Sequence, residues 1–580
     1  MCGIVGYAGP KSAGRTIYEA LKRLEYRGYD SAGIATISGG LQIRRGEGKI
    51  DDVHRRHNFF ELDGNMGIGH TRWATHGAPS ERNAHPLYDC TRSIAIVHNG
   101  VIENYQELRA RLSKKGHKFH SETDSETIAH LIEENMKRGA TFEAAARKAV
   151  KALKGSYAIA AIHKEEGAIV LARNRSPLVI GVGEGEMMAA SDVPAMLDHT
   201  RKFIFMEDGD FAVLTSGGVH IEHGGRKVER KPTTVTWTSG MAEKEGYAHF
   251  TLKEIHEQEQ SIALSAAVDV GAGARLLKKA KSVHIIGCGT SYHASLVFKQ
   301  LLAARARIDC DAFVASEYAY SSVVGRGTVV IAVTQSGETL DTMMAARHAK
   351  AKGAKVLAIT NVVGSSITRL ADETVYMQAG PEVGVVATKT FTSQVVVLTK
   401  LALALAGRKF AHVFTPLVKR MLAMEEEMKR LAAEMKNNND YFFIGRGIAL
   451  PIAYEGALKL KEIAYVHAEA YAGGELKHGP LSLIADGIPV IALAPSGEAS
   501  EKMFSNVKEC KARGGRIIAL SDDAHVLNEA DVKIRMPKME AELAPLLYII
   551  PLQFFAYYAC LQRGHDPDRP RNLAKSVTVE

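Results

Sequence analysis

Val330-Ile331-Ala332-Val333-Thr334-Gln335-Ser336-Gly337-Glu338-Thr339-Leu340 returns about 160 residues later as Val490-Ile491-Ala492-Leu493-Ala494-Pro495-Ser496-Gly497-Glu498-Ala499-Ser500. Each copy reads as an apolar strand, a polar turn and the start of a helix. Each then leads through a basic, glycine-containing turn into a second apolar strand, Lys352 to Thr360 (KGAKVLAIT) and Arg513 to Leu520 (RGGRIIAL). The shorter strand-turn pair Ile285 to Gly289 (IIGCG) and Phe443 to Gly447 (FIGRG) repeats at nearly the same offset. Short apolar strands alternating with amphipathic helices are the pattern of a parallel α/β sheet. An internal repeat of that pattern means two copies of one α/β unit, expected over 266–420 and 421–565. Open α/β sheets bind ligands beyond the strand ends, so a site at the junction of the copies is expected.

Upstream, residues 1 to about 238 alternate β-branched runs, such as Ser93 to Val97 and Ala158 to Ile162, with glycine-rich turns. That texture predicts stacked sheets. Met241 to Gln260 is rich in Glu, Lys and His and poor in core residues, so 239–265 is read as an interdomain linker. A chain of 580 residues exceeds what one hydrophobic core holds. With 46% hydrophobic and 24% charged residues it is neither disordered nor fibrous. The net charge of +8 is spread along the chain rather than gathered in a tail, which argues against nucleic acid and suits a phosphorylated small substrate. Six widely spaced cysteines without a CxxC pair or a leader point to a reducing cytoplasm. Ala544 to Leu561 is apolar enough to suggest a membrane span, but Pro551 and Gln553 interrupt it, and a buried helix is expected.

The chain opens Met1-Cys2-Gly3-Ile4-Val5-Gly6. Removal of Met1 would leave Cys2 with a thiol and a free α-amine. An amine of ordinary pKa about 7.7 to 8.0 is partly neutral near physiological pH and can act as base for the thiol beside it, so no catalytic histidine is needed. A cysteine at a strand start is by itself more often a small hydrophobe. Here it is followed in order by Arg27-Gly28-Tyr29-Asp30-Ser31-Ala32-Gly33, by Gly69-His70-Thr71-Arg72-Trp73-Ala74-Thr75-His76-Gly77 and by Val97-His98-Asn99-Gly100. This series resembles the class II, N-terminal nucleophile, glutamine amidotransferases. The resemblance implies an α+β αββα sandwich over 1–238 in which Cys2 attacks the side-chain amide of L-glutamine. Arg72 suits the glutamine α-carboxylate and Asp124 its α-ammonium. The resemblance assigns the oxyanion donors to the Asn99 side-chain amide and the Gly100 N–H, and places Trp73, Thr75 and His76 around the same pocket. His85 and His98 have no evident proton to move and are read as structural.

Downstream, Thr334-Gln335-Ser336-Gly337-Glu338-Thr339 and Gly287-Cys288-Gly289-Thr290-Ser291 each follow a strand and open a helix. Hydroxyls and free N–H groups at helix N-termini favour anions, although a simple capped turn has the same layout. Glu455, Lys459 and Glu462 share one helix face by their spacing, which by itself describes a solvated surface as readily as a site. Together with the repeat, these motifs resemble the sugar isomerase domain family. Ala468 to Pro480 (AEAYAGGELKHGP) and the terminal Pro570 to Glu580 (PRNLAKSVTVE) resemble the glucosamine 6-phosphate synthase family within it. The resemblance implies two doubly wound parallel-sheet domains, with the tail 566–580 completing the isomerase site. It implies fructose 6-phosphate as acceptor, glucosamine 6-phosphate as product and a homodimer, with no cofactor and no metal. Phosphosugar contacts are carried over to Thr290, Ser291, Thr334, Gln335, Ser336, Thr339, Val385 and Ala574. His478 would assist ring opening, Lys575 would form a Schiff base with the C2 ketone, and Glu462 would move the proton from C1 to C2, with Lys459 and Glu455 in support. Gly384-Val385-Val386-Ala387-Thr388-Lys389 departs from the family in having Ala387 where serine is usual. Two other readings compete. Another class II amidotransferase would need a diphosphate or ATP loop, which is absent, and a silent sugar-phosphate sensor would have no use for Cys2, Asn99, Glu462, His478 and Lys575 together.

Overall fold

A computed structural model of the chain describes residues 2–74, 76–238, 240–410 and 415–577. These divide into two units, one running to Ala242 and joined by the tail from Ala574, the other Glu243–Leu573.

In the first unit an eight-stranded and a seven-stranded sheet stack face to face. Strand Gly3–Ala8 lies inside the first sheet, antiparallel to Met66–Arg72 and to Met187–Ala190. Alternate side chains of a strand point to opposite faces. Ile4 and Ala8 accordingly join Ile68, Val97, Ala160 and Leu171 between the sheets. Val5 and Tyr7 face the other way, with Ile17 and Leu21 of helix Ala13–Lys22 and Val53 of helix Ile50–His57. On the second sheet Ile96 and Ile159 pack with Leu108, Ile128, Ile132 and Phe142, which come from helices Tyr105–Ser113, Glu126–Lys137 and Phe142–Lys151. The layers therefore run helix, sheet, sheet, helix, as expected for this part of the chain.

The second unit contains two five-stranded parallel sheets. Their orders are Asp311–Val314, Ser282–Gly287, Thr328–Thr334, Lys355–Thr360, Glu373–Tyr376 and His467–Ala472, Asp440–Gly445, Pro489–Ala494, Arg516–Ser521, Val532–Arg535. The repeat read from sequence is thus a repeat of topology. In each copy the first strand lies between the second and third, so the strand order reverses beside it, where α/β sheets open their ligand crevice. One apolar cluster runs through both copies, including Ile285, Val297, Phe298, Ile452, Leu460 and Ile491.

Helix Ala544–Gln562 is buried along its length up to Cys560. Its buried amide is satisfied there: Gln553 Oε1 accepts from Gln258 Nε2 at 2.8 Å, and Gln553 Nε2 donates to Thr388 O at 3.3 Å. The stretch read as a linker is different from expectation after residue 249. Helices Phe250–His256 and Gln258–Ala267 are integral to the second unit, with Ile255 and Ile262 in its core. The charges that suggested solvent are matched inside this unit. Lys253 lies 3.4 Å from Glu257, whose other oxygen is 2.6 Å from Lys389 Nζ, and Glu254 accepts the N–H groups of Val383 and Gly384. The tail is likewise divided. Asp568 accepts the N–H of Phe250 and of Thr251, each at 2.8 Å, and so belongs to the second unit, whereas Ala574 and Lys575 group with the first.

Candidate functional site

In the first unit, the pairing of Gly3 with Thr71 brings Cys2 beside Arg72 and Trp73. The Cys2 thiol lies 3.2 Å from the Trp73 N–H, which donates to it, and 3.4 Å from the Trp73 carbonyl. Burial pushes the thiol's pKa up, against the opposing effects of the Trp73 N–H and the Arg72 cation. A neutral resting thiol needs a base before it can attack.

Asn99 reaches Cys2 from the second sheet. Its Nδ2 donates to Cys2 O and to Ser191 Oγ, both at 2.9 Å. Its Oδ1 and the carbonyl of His98 lie 3.0 and 3.1 Å from His70 Nε2. Two acceptors require the proton on that nitrogen. Burial holds His70 down at about 3, so the ring is neutral and its single N–H sets which way the Asn99 amide points. Gly100 follows with φ +124°, and a Cβ there would lie 2.1 Å from Ser156 O. Only glycine tolerates both that backbone and that approach.

Arg72 is 3% exposed and donates to His76 O and, at 2.9 Å, to Gly77 O, while its Nη1 is buried without a hydrogen bond. A buried guanidinium nitrogen with donors to spare fits a carboxylate ligand. Asp124 is buried, accepting from Ile102 N at 2.8 Å and Ser125 Oγ at 3.3 Å. Trp73 meets Tyr29 edge to face, and His76 does the same with Tyr105. Thr75 lies outside the described residues. His98 bonds Ser125 Oγ at 2.8 Å and His85 stacks on His70, both fully within the packing.

In the second unit, the helices that follow the first strand of each copy meet across the repeat. Thr290 and His293 come from Thr290–Leu301, and Glu455, Lys459 and Glu462 from Leu450–Ala464. Glu455 is fully buried; it accepts from Thr290 Oγ1 at 3.0 Å and lies 2.7 Å from His293 Nδ1. Lys459 Nζ is 3.0 Å from Thr290 Oγ1, 3.2 Å from Glu455 Oε1 and 2.7 Å from Glu462 Oε2. Burial works against its charge, but the two carboxylates outweigh that and hold the ammonium well above its ordinary pKa. Burial would raise Glu455, and Lys459 with His293 pulls it below the usual carboxylate range. Of the three charged residues on helix Leu450–Ala464, only the Glu462 side chain reaches solvent, at 22% exposure.

The expected phosphate groups sit where the strand order reverses. Ser291 is buried and its hydroxyl accepts from Gln394 Nε2 at 3.0 Å. On the adjacent strand Thr334 Oγ1 accepts from Gly337 N at 3.2 Å and lies 3.3 Å from Thr339 Oγ1, while Ser336 Oγ accepts from Glu338 N at 3.2 Å. The Gln335 carbonyl accepts from Asn361 N at 3.1 Å. Gly337 has φ +68° and a Cβ on it would lie 2.0 Å from Ser365 Oγ, so the turn closes only on glycine. Val385 and Ala387 are half-buried on the loop entering helix Lys389–Leu405, beside Thr388, whose buried hydroxyl meets no partner. His478 is exposed on the turn Glu475–His478 and makes no hydrogen bond to Glu455, Lys459 or Glu462. Arg571 N donates to Tyr465 OH at 2.7 Å, which fastens the tail to the residue that ends the helix carrying Glu462.

Partners of these groups that the sequence reading passed over are His70, Ser191, His293 and Gln394. Of these, His70 lay inside the quoted Gly69 to Gly77 motif and His293 three residues after Thr290 on one helix, whereas Ser191 and Gln394 carried no local signal.

A double sheet that begins at Cys2, followed by two copies of a parallel sheet, each opening at its strand reversal, is the layout of a glutamine amidotransferase domain joined to two SIS-type domains. Family models agree: residues 70–198 match the glutamine amidotransferase domain, and 276–404 and 434–563 match the SIS domain. The chain is 50% identical over 598 residues to glutamine--fructose-6-phosphate aminotransferase [isomerizing] of Pyrococcus horikoshii, and 50% identical over 602 residues to the protein of that name from Thermococcus kodakarensis. Both alignments cover 100% of either chain. Among solved structures, the C-terminal domain of glucosamine-fructose-6-phosphate aminotransferase from Francisella tularensis superposes with a TM-score of 0.52 at 34% identity, covering 57% of this chain and 100% of that one. The chain belongs to the glutamine–fructose-6-phosphate aminotransferase (isomerizing) family.

Proposed function

We propose that the chain converts L-glutamine and D-fructose 6-phosphate into L-glutamate and D-glucosamine 6-phosphate. Cys2, freed of Met1 and assisted by its own α-amine, attacks the glutamine amide carbon. Asn99 and the Gly100 N–H stabilise the oxyanion, ammonia leaves, and water hydrolyses the thioester. Arg72 and Asp124 hold the two charged ends of the free amino acid, with Trp73, Thr75 and His76 around it. The unsatisfied Arg72 Nη1 supports the carboxylate assignment.

In the sugar half, the phosphate is held by Ser291, Thr334, Gln335, Ser336 and Thr339, with Thr290, Val385 and Ala574 around the sugar. His478 assists ring opening. Lys575 condenses with the C2 ketone, ammonia displaces the lysine, and Glu462 carries the proton from C1 to C2 so that the imine becomes the aldose. The observation that carries this half is the gradient of burial along one helix face. Glu455 and Lys459 are sealed at 0 and 1% side-chain exposure and Glu462 is open at 22%, so a fixed cation stands behind a carboxylate that a substrate can reach. A cytoplasmic homodimer completes the proposal. Six free cysteines support a reducing compartment.

The Schiff-base step is tested by borohydride reduction in the presence of fructose 6-phosphate. The sugar is expected on a peptide containing Lys575, and Lys575→Arg should lose both adduct and synthesis while glutamine hydrolysis persists. Trapping on another lysine, or normal synthesis by the variant, would refute the role.

A further inference from the structure

The first unit holds a second cluster of chemistry-bearing side chains that the glutaminase reaction does not use. Cys90, His117, His130 and Glu133 present Sγ, two Nδ1 atoms and one carboxylate oxygen within 4.8 Å of one another. They come from three segments: the turn after strand Leu87–Tyr88, the loop after helix Tyr105–Ser113, and helix Glu126–Lys137. His130 and Glu133 share a helix face by their spacing. The sulfur lies 3.8 Å from His117 Nδ1 and 3.6 Å from His130 Nδ1; Glu133 Oε2 lies 3.0 and 3.2 Å from the same two nitrogens. A tetrahedral zinc centre with ordinary bond lengths has S···N edges of about 3.6 Å and N···O edges of about 3.4 Å. Four of the six edges are thus near those lengths, and the other two, between the two Nδ1 atoms and between Cys90 Sγ and the Glu133 oxygen, are within 4.8 Å.

The surroundings are those of a metal site. His117 Nε2 faces Glu134 Oε2 at 3.2 Å, and His130 Nε2 faces Glu126 Oε1 at 3.4 Å. Each imidazole is thus flanked by a carboxylate on its far nitrogen, the arrangement that orients metal-bound histidine. A neutral imidazole has one N–H, so without an ion each ring sets a bare lone pair against a carboxylate oxygen or must carry a charge. With an ion on both Nδ1 atoms, each Nε2–H donates outward and every lone pair is used. Lys118 N donates to Cys90 Sγ at 3.4 Å, as suits a thiolate. Thiolate and carboxylate together neutralise a divalent cation.

We propose that Cys90, His117, His130 and Glu133 form a tetrahedral site for a zinc-type divalent ion that braces the glutaminase domain. The ion would tie the turn at Cys90 and the loop at His117 to the helix whose N-terminal approach carries Asp124. Both histidines and Glu133 are buried while Cys90 is exposed, so the ion can enter and leave from the cysteine side. The family resemblance implied no metal, and in the sequence these ligands are scattered, with no short-spaced cysteine or histidine pair to mark them.

The test uses the full-length chain. It is stripped with a chelator, reloaded with zinc or cobalt(II), and measured for metal content, visible absorption and thermal unfolding. One equivalent of zinc per chain is expected, together with a thiolate-to-cobalt charge-transfer band and recovery of the unfolding temperature lost on chelation. Cys90→Ser should fold, lack the band and show no response to chelator. Glu134→Gln should bind about 10- to 100-fold more weakly through loss of the carboxylate behind His117. Trace metal only, a cobalt spectrum without the thiolate band, or equal affinity in Cys90→Ser would overturn the site.

Discussion

Cys2→Ala is expected to abolish glutamine hydrolysis, and with it glutamine-dependent amino-sugar formation, while phosphosugar isomerisation in the second unit continues. Loss of a covalent nucleophile costs about six orders of magnitude in turnover where the nucleophile acts as one unit with its base. The remaining groups cannot replace it. Asn99 and Gly100 can still stabilise an oxyanion, but His70, the imidazole bonded to Asn99, is buried and held neutral, and its Nε2–H is engaged by Asn99 and His98. His98 is bonded to Ser125. Neither of these two histidines beside Asn99 is therefore poised to activate water in place of the thiol. The assay is glutamate release beside a separate measurement of fructose 6-phosphate isomerisation on the same preparation. Residual hydrolysis within tenfold of the parent chain would move the nucleophile elsewhere.

Lys459→Met is expected to remove sugar-phosphate chemistry and to destabilise the second unit by about 3–5 kcal/mol, the usual cost of stranding one member of a buried ion pair. Glu455, fully buried, would keep His293 and Thr290 but lose its fixed cation, and Glu462 would lose the group 2.7 Å away that orients it. Adding Glu455→Gln should recover most of the stability, because a buried pair removed together leaves no isolated charge. Activity should stay lost. Hydrogen-exchange protection of helix Leu450–Ala464 reads the stability effect locally. A single variant as well protected as the parent would mean that Thr290 and His293 suffice for Glu455, and a double variant as weakened as the single would assign the loss to packing.

The architecture was legible because it repeats. Two strand-turn-helix motifs at one offset can only be two copies of a unit, and the structure gives both copies the same strand order. The glutaminase motifs were legible because they are contiguous, and strand pairing alone carries Cys2 to Arg72. What the sequence concealed is charge that is not at the surface. Lys253, Glu254 and Glu257 made Met241 to Gln260 read as a solvated linker, yet they are matched by Lys389 and by the N–H groups of Val383 and Gly384, more than a hundred residues away. The same holds for Ser191 at Asn99 and Gln394 at Ser291: single polar residues with no local pattern, given meaning only by the fold. The division of the tail after Leu573 was not legible either, since nothing in its composition changes there.

The central claim is that nitrogen released at Cys2 is the nitrogen installed on the sugar, and it is tested most directly by following the label. The full-length chain is incubated with glutamine carrying nitrogen-15 in its side-chain amide and with fructose 6-phosphate, without added metal or ATP, and the products are resolved by mass spectrometry. The account predicts glucosamine 6-phosphate bearing the label at its C2 amine, in equal amount to glutamate formed. Glutamate and labelled ammonia without labelled amino sugar, or an absolute need for ATP, would contradict it.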